Sequence, residues 1–329
     1  MEREYVSQKF VGTLLGMAIG DAMGLPSNGL CPYLSYKKYQ QIDDFYPSTG
    51  NPPGTYSIHT KYALNIAKSI KEKISIDKES LLAAQTHVSQ KAPDSDETKS
   101  SIIKIAALPY EKCGSANSLS PSFLLKMIPV GMLAAVKGYD ELDLLKQCRD
   151  VCILTHGYRP SWLAGYVVAK IVRDAIRSSQ ELRNPYEWYQ SDMSIFAKII
   201  NSVRQFETTM KGDEILADNL SGRLSFIRRK LQQGVDVDSI VGLCGNSGHA
   251  FVDVSFAVFC FMRSPDSFNA MVDSASMGGD SSINTALVGA FVGAYAGQNA
   301  IKESLRFDVK NKINITELGE QMMENLYTE

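Results

Sequence analysis

The sequence predicts an all-α protein with one domain that spans residues 1–329. Apolar residues recur at intervals of three and four along most of the chain, which is the spacing of one buried face of a helix. No convincing run alternates apolar and polar residues as a half-buried strand would. No low-complexity linker divides the chain, and a helical fold of this length can share one hydrophobic core.

The first predicted helix carries glycine at every fourth position, at Gly12, Gly16 and Gly20. Residues with this spacing lie on one face of a helix. Because glycine lowers helix stability, that face is predicted to lie close to another element. The same spacing returns near the end of the chain, at Gly289, Gly293 and Gly297. Both segments are too short and too polar at their flanks for a membrane pair, so they predict two closely packed core helices.

Apolar spacing predicts further helices between these two segments. They cover residues 61–73, 78–89, 122–136, 142–154, 161–178, 194–210, 221–232, 250–263 and 267–275. Proline and glycine cluster in residues 46–55, which predicts a loop, and residues 183–188 form another break. The charged segment 93–98 predicts a turn that also caps a helix.

The composition argues against two classes of partner. A net charge of -2 provides no basic surface for nucleic acid. The longest apolar stretch, residues 250–262, is interrupted by Asp253 and is too short to span a bilayer. The N-terminus also lacks the apolar core of a secretory signal. We therefore expect a soluble cytoplasmic protein without a membrane partner.

The six cysteines are scattered and contain no Cys-x-x-Cys pair. This pattern argues against a disulfide framework or a zinc site. Cys148 and Cys152 lie one helical turn apart, so a shared metal is one interpretation. Burial as small apolar thiols is the interpretation that the usual packing of free cysteine favours.

Six short motifs occur in order between residues 12 and 297. They are GMAIGDAMGLP at residues 16–26, GTYSIHTKYAL at 54–64, LKMIPVG at 125–131, THG at 155–157, GNSGHAFVD at 245–253 and GGDSSI at 278–283. Together they resemble the motifs of the ADP-ribosylglycohydrolase family. The resemblance implies a compact orthogonal bundle of many helices, with a cleft built from the loops that carry these motifs.

The resemblance implies that hydrolytic members hold two magnesium ions at the ends of several helices. Magnesium prefers oxygen ligands, and carboxylates offset the charge of two close cations. The family's ligand positions correspond here to Asn28, to Ser57, Ile58 and His59, and to Asp280, Ser281, Ser282 and Ile283. Asp280 is the one carboxylate retained in this set. One carboxylate balances two divalent cations poorly in a partly buried cleft, so we expect no magnesium pair and no cofactor.

The resemblance also implies a small-molecule ligand similar to ADP-ribose. The residues that it places around such a ligand are Asn28, Ser57, His156, Gly248, Ser281 and Ser282. The family's Gly-Asn-Gly loop corresponds to Ser120-Pro121-Ser122. Because proline fixes φ and removes an amide donor, we expect a weaker cradle for the pyrophosphate.

Several side chains have more than one interpretation. His59 is a general base, a ligand for a softer metal, or a side chain that fills the vacated cleft. His156 contacts a ribose or phosphate, or makes a hydrogen bond at a helix end. Asp21 is expected to accept backbone amides, and a metal-free glycosidase pair of Asp21 and Asp280 is a further hypothesis. Asp253 positions the terminal loop or is a satisfied polar group in a buried helix.

The preferred hypothesis is a family member that has lost magnesium-dependent hydrolysis. It then acts as a ligand-binding protein or as a structural protein, in the way that the family includes lens crystallins of jellyfish. The rival hypothesis is a hydrolase that cleaves an ADP-ribosyl or related N-glycosidic bond through Asp280, with His59 or with bound Mg²⁺. The oligomeric state is left open by the sequence.

Overall fold

The computed structural model describes residues 3–48, 50–89, 96–105, 107–178, 189–190, 194–210 and 219–328. Within these ranges the protein is helical and contains no strand. The helices are α1 (Arg3–Gly24), α2 (Pro32–Tyr39), α3 (Ile58–Lys73), α4 (Lys78–Ser89), α5 (Asp96–Ile105), α6 (Met127–Lys137), α7 (Glu141–Cys152), α8 (Arg159–Arg177), α9 (Ile195–Thr209), α10 (Leu220–Gln232), α11 (Val237–Cys244), α12 (Ala250–Arg263), α13 (Asn269–Ser276), α14 (Ser281–Ala296), α15 (Glu303–Asp308) and α16 (Lys312–Thr328). The all-α prediction is confirmed.

The two glycine-rich helices, α1 and α14, pack against each other in antiparallel directions. A Cβ atom on Gly16 would lie 2.0 Å from the carbonyl oxygen of Gly289, and one on Gly20 would lie 2.1 Å from that of Thr285. Real Cβ atoms essentially never come this close to backbone, so only glycine permits the approach. The predicted pair of closely packed core helices is confirmed. Gly297 differs from the prediction, because it follows the helix with a φ of +80°.

The longest apolar segment of the first helix lies inside the protein. Residues Arg3–Ser27 are long and apolar enough to cross a membrane by composition, yet 94% of the most apolar window is buried in the fold. Near its start, the buried Lys9 ammonium donates hydrogen bonds to the carbonyl oxygens of Ala175 at 2.7 Å and Ser178 at 2.8 Å. It thereby closes the C-terminal end of α8, where unpaired carbonyls concentrate negative charge.

Several helices begin at residues whose side chains accept a backbone amide. Such N-caps occur at Ser57, Asp140, Ser194, Asn219 and Asp236. The cap at Ser57 starts α3 at Ile58, three residues before the predicted start. Short polar side chains stabilise helix starts in this way.

The predicted helix over residues 122–136 is wrong in its first part. A 3₁₀ helix covers Pro121–Lys126, and the α-helix begins at Met127. Pro129 lacks the amide that would donate to a carbonyl four residues earlier, so an α-helical ladder starts naturally just before it. The segments 93–95 and 183–188 lie outside the described residues.

The antiparallel packing of α1 and α14 determines where the six sequence motifs meet. The loop that follows α1 lies beside the turn that precedes α14, since Gly29 donates to the carbonyl of Gly279 at 2.8 Å. The start of α3 joins the same end through Ser57, which donates to Asp21 near the end of α1. Helix ends and loops from distant parts of the chain therefore converge at one end of the bundle.

Candidate functional site

The Gly278-Gly279 turn is held rigidly against the loop after α1. Both glycines have positive φ, at +68° and +67°. The amide of Gly279 donates to the carbonyl of Leu30 at 2.8 Å. A Cβ on Gly279 would lie 2.4 Å from Oδ1 of Asn246, whose amide nitrogen donates to the carbonyl of Gly278 at 3.0 Å. The turn therefore needs glycine, and it fixes the direction in which Asp280 leaves it.

Asp280, the retained carboxylate, fastens two loops together. Its Oδ2 accepts the backbone amide of Gly248 at 2.7 Å. Its own amide donates to the carbonyl of Asn246 at 3.1 Å. The backbone amide of Gly248, a residue predicted to bind a ligand, is thus used within the protein, and so is one oxygen of the Asp280 carboxylate.

The residues that follow Asp280 are turned toward the interior or toward a neighbouring loop. Ser281 is fully buried, and its hydroxyl donates to the carbonyl of Gly24 at 2.7 Å while accepting from Ser27 at 2.9 Å. The amide of Ser282 donates to Oδ1 of Asn28 at 3.2 Å. Ile283 belongs to the hydrophobic core and is 6% exposed. Asn28 therefore caps the start of α14 with an uncharged oxygen.

Asp21 organises the start of α3. Its Oδ2 accepts the amide of Ser57 at 2.9 Å, the hydroxyl of Ser57 at 2.7 Å and the hydroxyl of Thr60 at 2.6 Å. Burial raises the pKa of Asp21, whereas the hydrogen bonds from Thr60 and Ser57 and the nearby charge of His59 lower it. These contacts agree with the expectation that Asp21 binds backbone and fixes the cleft.

His59 lies at the first turn of α3 and is half-buried. Its amide donates to the hydroxyl of Ser57 at 3.2 Å, and its ring interacts electrostatically with Asp21. Asp280, in contrast, has Asp253 as its acidic neighbour. The structure therefore places Asp21 with His59 and Asp280 with Asp253.

His156 is fully buried behind the 114–122 loop. Its Nδ1 lies 2.9 Å from the hydroxyl of Thr155, its Nε2 lies 3.3 Å from the hydroxyl of Ser120, and its ring packs on Phe123. Burial is the largest cause that lowers the pKa of His156 to about 3, and the positive charge of Lys126 is the next. The neutral ring joins two loops, and its partners Thr155 and Ser120 lie outside the α-helices rather than at the end of one.

Asp253 and Asn284 are two buried polar side chains, of which the sequence analysis singled out only Asp253. Both side chains are fully buried. Burial raises the pKa of Asp253 well above its usual range, and the adjacent charge of Asp280 raises it further. Neither carboxyl oxygen of Asp253 has a partner with full hydrogen-bond geometry within the described part of the chain, while Asp280, Asn284 and the backbone of His249 lie close enough to shift its pKa. The sequence signal was the amide of Asn284, which lies with Ser281, Ser282 and Thr285 at the start of a mainly apolar helix.

The cysteine pair on α7 is buried. All six cysteines are free thiols, and Cys148 and Cys152 have no solvent exposure. Burial raises the pKa of both thiols, which keeps them protonated. Protonated thiols are poor metal ligands, so packing accounts for this pair.

The donor set at the converging loops does not fit two magnesium ions. Among the residues that the structure describes, no group of three His, Cys, Asp or Glu side chains converges on a point. Asn28 and Ser281 are engaged in the bonds described above, and Ile283 offers no oxygen. A magnesium pair needs several carboxylates with free oxygens, and Asp280 supplies one carboxylate that already accepts an amide.

Comparison with known proteins agrees with the fold. The family model "ADP-ribosylglycohydrolase" matches residues 2–329. An uncharacterized protein of Archaeoglobus fulgidus is 22% identical over 97% of both chains. ADP-ribosylhydrolase ARH3 of Bos taurus is 35% identical, and that of Homo sapiens is 34% identical, over 96 residues that make up 26% of each chain.

A solved structure shares the architecture. A chain of an ADP-ribosylglycohydrolase-related protein complex superimposes with a TM-score of 0.72 at 19% identity, covering 98% of this chain and 99% of that one. At this identity the similarity concerns the fold. The order of the motifs, the helical architecture and the match over almost the whole length show that the chain belongs to the ADP-ribosylglycohydrolase family.

Proposed function

We propose that this protein retains the family fold without magnesium-dependent hydrolysis, and that it acts as a binding or structural protein. The observation that carries the proposal is the use of the family's ligand positions for internal bonds. Asp280 accepts the amide of Gly248, Asn28 caps the amide of Ser282, and Ile283 lies in the core. Each position has a structural task that a metal ligand would have to abandon.

A ligand similar to ADP-ribose is compatible with part of the expected contact set. Asn28 and Gly248 are exposed, and Ser57 is half-buried at the start of α3. Ser281 and His156 are fully buried, and Ser282 is 6% exposed. We therefore propose that any such ligand is bound mainly by the exposed residues of this set, with His59 beside them.

Titration calorimetry with ADP-ribose, with and without Mg²⁺, tests this function. We expect either no binding or binding whose affinity is the same with and without Mg²⁺. Incubation with ADP-ribosylated protein should release no ADP-ribose. Magnesium-dependent binding of ADP-ribose, or its release from modified protein, would contradict the proposal.

The alternative function is hydrolysis of an ADP-ribosyl or related N-glycosidic bond through Asp280. The adjacent carboxyl group of Asp253 favours it, because burial raises the pKa of Asp253 and a proton held beside Asp280 can serve as a general acid. Under this alternative, Asp280→Asn should abolish the release of ADP-ribose and His59→Gln should reduce it. An equal background rate in the wild type and in both variants would exclude the alternative.

Restoration of the family's ligands provides a constructive test. We expect the fivefold variant Asn28→Glu, Ile58→Asp, His59→Asp, Ser282→Asp, Ile283→Thr to gain magnesium binding. Without Mg²⁺ it should be less stable than the wild type by about 2–5 kcal/mol, because it removes the Asn28 cap, takes apolar volume from the core and brings acids together.

The matched control is the same fivefold variant with Asp280→Asn added. Calorimetry with MgCl₂ should show binding to the fivefold variant and weaker binding to the control, since the control lacks one carboxylate. A folded fivefold variant that binds no Mg²⁺ would show that the loops no longer have the geometry of a magnesium site.

A further inference from the structure

The outer side of α2 exposes a cluster of large apolar side chains. Tyr33 is 68% exposed, Leu34 is 48% exposed and Tyr36 is 66% exposed. The opposite side of the helix faces the protein through the buried Ser35 and the half-buried Tyr39. Single exposed apolar residues are ordinary on a protein surface, whereas a contiguous patch marks an interaction site. Three such residues within about one helical turn therefore indicate an interaction surface.

Two lysines continue this outer side and form no ion pair in the described part of the chain. Lys37 and Lys38 are exposed in the last turn of α2. The Nζ atom of Lys38 lies 4.9 Å from the ring centroid of Tyr39, and no acidic side chain pairs with either lysine within the described ranges. The sequence contains no Asp or Glu between Asp21 and Asp43. The outer side of α2 is therefore both apolar and positively charged.

The loop after α2 places two acids next to the C-terminal end of the helix. The ring centroids of Tyr39 and Tyr46 are 5.2 Å apart, so the residues between them form a loop that returns to the helix. Asp43 and Asp44 lie in this loop and are exposed. Asp44 lies 3.5 Å from the Lys302 ammonium at the surface, whereas the Asp43 carboxylate pairs with no cation among the residues described. We use the name α2 surface for Tyr33, Leu34, Tyr36, Lys37, Lys38, Asp43 and Asp44.

We propose that the α2 surface binds the α2 surface of a second copy of this chain, around a two-fold axis. In such an interface residue i of one copy meets residue j of the other, and j meets i. The α2 surface satisfies this condition, because it carries two lysines and two aspartates beside one apolar cluster. The lysines of each copy face the aspartates of the other, and the tyrosines of both copies lie between them. A surface with lysines alone would instead fit an acidic partner.

The apolar and the charged parts of the α2 surface have different tasks. Tyrosine is enriched among the residues that dominate binding energy, because its large ring is buried at a low cost in conformational entropy. Charge pairs at the rim of an interface fix the orientation and disfavour wrong partners. Tyr33 and Tyr36 therefore supply most of the affinity, and the lysines and aspartates select the two-fold arrangement. The proposal goes beyond the proposed function, because it requires no ligand and is tested on the full chain alone.

Sedimentation equilibrium of the full chain tests the association. We expect the weight-average mass to rise toward twice that of one chain as the protein concentration approaches about 100 µM, since an interface of limited size is weak. Sodium chloride at about 0.5 M should shift dimerisation to higher protein concentration, because it screens the charge pairs.

Charge reversal provides the decisive experiment. The double variant Lys37→Asp, Lys38→Asp should be monomeric, because acids then meet acids across the axis. The double variant Asp43→Lys, Asp44→Lys should be monomeric, because lysines then meet lysines. An equimolar mixture of the two double variants should dimerise, since the charges of the α2 surface are then all negative in one copy and all positive in the other.

Two further variants separate the interface from general effects of charge and folding. The matched control Lys68→Asp, Lys198→Asp makes the same change of charge at exposed positions on α3 and α9, and should dimerise like the wild type. The variant Tyr33→Ser, Tyr36→Ser should dimerise more weakly by about tenfold or more. Because both tyrosines are largely exposed, circular dichroism should show that this variant keeps the wild-type Tm.

Three results would overturn the proposal. One is a wild type that stays monomeric at about 100 µM in low salt. Another is a dimer that persists in both charge-reversal variants, because such a dimer uses a different surface. The third is a folded pair of charge-reversal variants that do not associate when they are mixed.

Discussion

Substitution of Gly16 by alanine gives the sharpest prediction about the fold. The new methyl group would lie 2.0 Å from the carbonyl oxygen of Gly289 and 2.6 Å from its carbonyl carbon. Both atoms belong to the backbone of α14, so no side chain can rotate away. Ordinary van der Waals contact begins near 3.4 Å, which means that the two helices must separate locally by about 1.4 Å.

The expected loss follows from two opposing terms. Alanine is a better helix former than glycine by about 1 kcal/mol, which favours the variant. Separation of α1 and α14 loosens the neighbouring approaches at Gly20 and Gly24, where a Cβ would lie 2.1 Å from backbone oxygens. Overpacking of a core costs about 1–3 kcal/mol and occasionally more, and backbone on both sides places this site at the upper end, so after the gain of about 1 kcal/mol we expect a net loss of about 2 kcal/mol.

Gly242→Ala is the matched control. Gly242 lies within the helix α11, and a Cβ at this position would have no heavy atom within 4 Å. At this position only the higher helix propensity of alanine changes the stability, so the variant should be more stable than the wild type by about 0.5–1 kcal/mol. Urea unfolding followed by circular dichroism measures both free energies. The reasoning is refuted if Gly16→Ala unfolds within 1 kcal/mol of the wild type, as estimated from the same overpacking cost.

Two further predictions concern buried ionisable groups. Lys9→Met removes the donor that closes α8, so we expect a loss of about 3 kcal/mol in urea unfolding, whereas the exposed Lys68→Met should change stability by under about 0.5 kcal/mol. An equal effect of the two variants would contradict the role of Lys9. For His156, the folded pKa of about 3 lies below the unfolded value near 6.5, so the unfolded chain binds more protons between these values. The contribution of buried His156 to the free energy of unfolding is complete above pH 6.5. It is lost as the pH falls toward 3, at up to about 1.4 kcal/mol per pH unit. Between pH 6.5 and 5, the stability of His156→Gln should fall less steeply than that of the wild type, and parallel curves would exclude this assignment.

The fold could be predicted from the sequence because its main constraint, the close approach of two helices, requires glycine, the smallest residue. Glycine at every fourth position requires a close partner, and the two glycine-rich segments are the two that pack together. Apolar spacing located most long helices to within a few residues. It missed the short helices α2, α11 and α15, of which α2 exposes Tyr33 and Tyr36. It also missed α16, although its buried residues follow helical spacing. A helix of about two turns offers too few positions for the spacing to be recognised.

The candidate site could be predicted as a location more readily than as a set of contacts. The motifs indicated which loops meet, and the structure brings Asn28, Asp280 and Gly248 together. The direction of each side chain depends on backbone geometry, which residue identity alone does not determine. Ser281 illustrates the limit: its hydroxyl suits a ligand site, yet the turn of the chain directs it to the carbonyl of Gly24.

The distribution of charge at the converging loops bears on the proposed absence of magnesium-dependent hydrolysis. Apart from Asp280, the positions expected to face a metal carry no carboxylate, while Asp253, which lies outside those positions, adjoins Asp280. A second buried acid next to a surface-facing one raises the free energy of ionising both, unless a cation or proton compensates. Asp253 therefore favours its protonated form, as its raised pKa indicates.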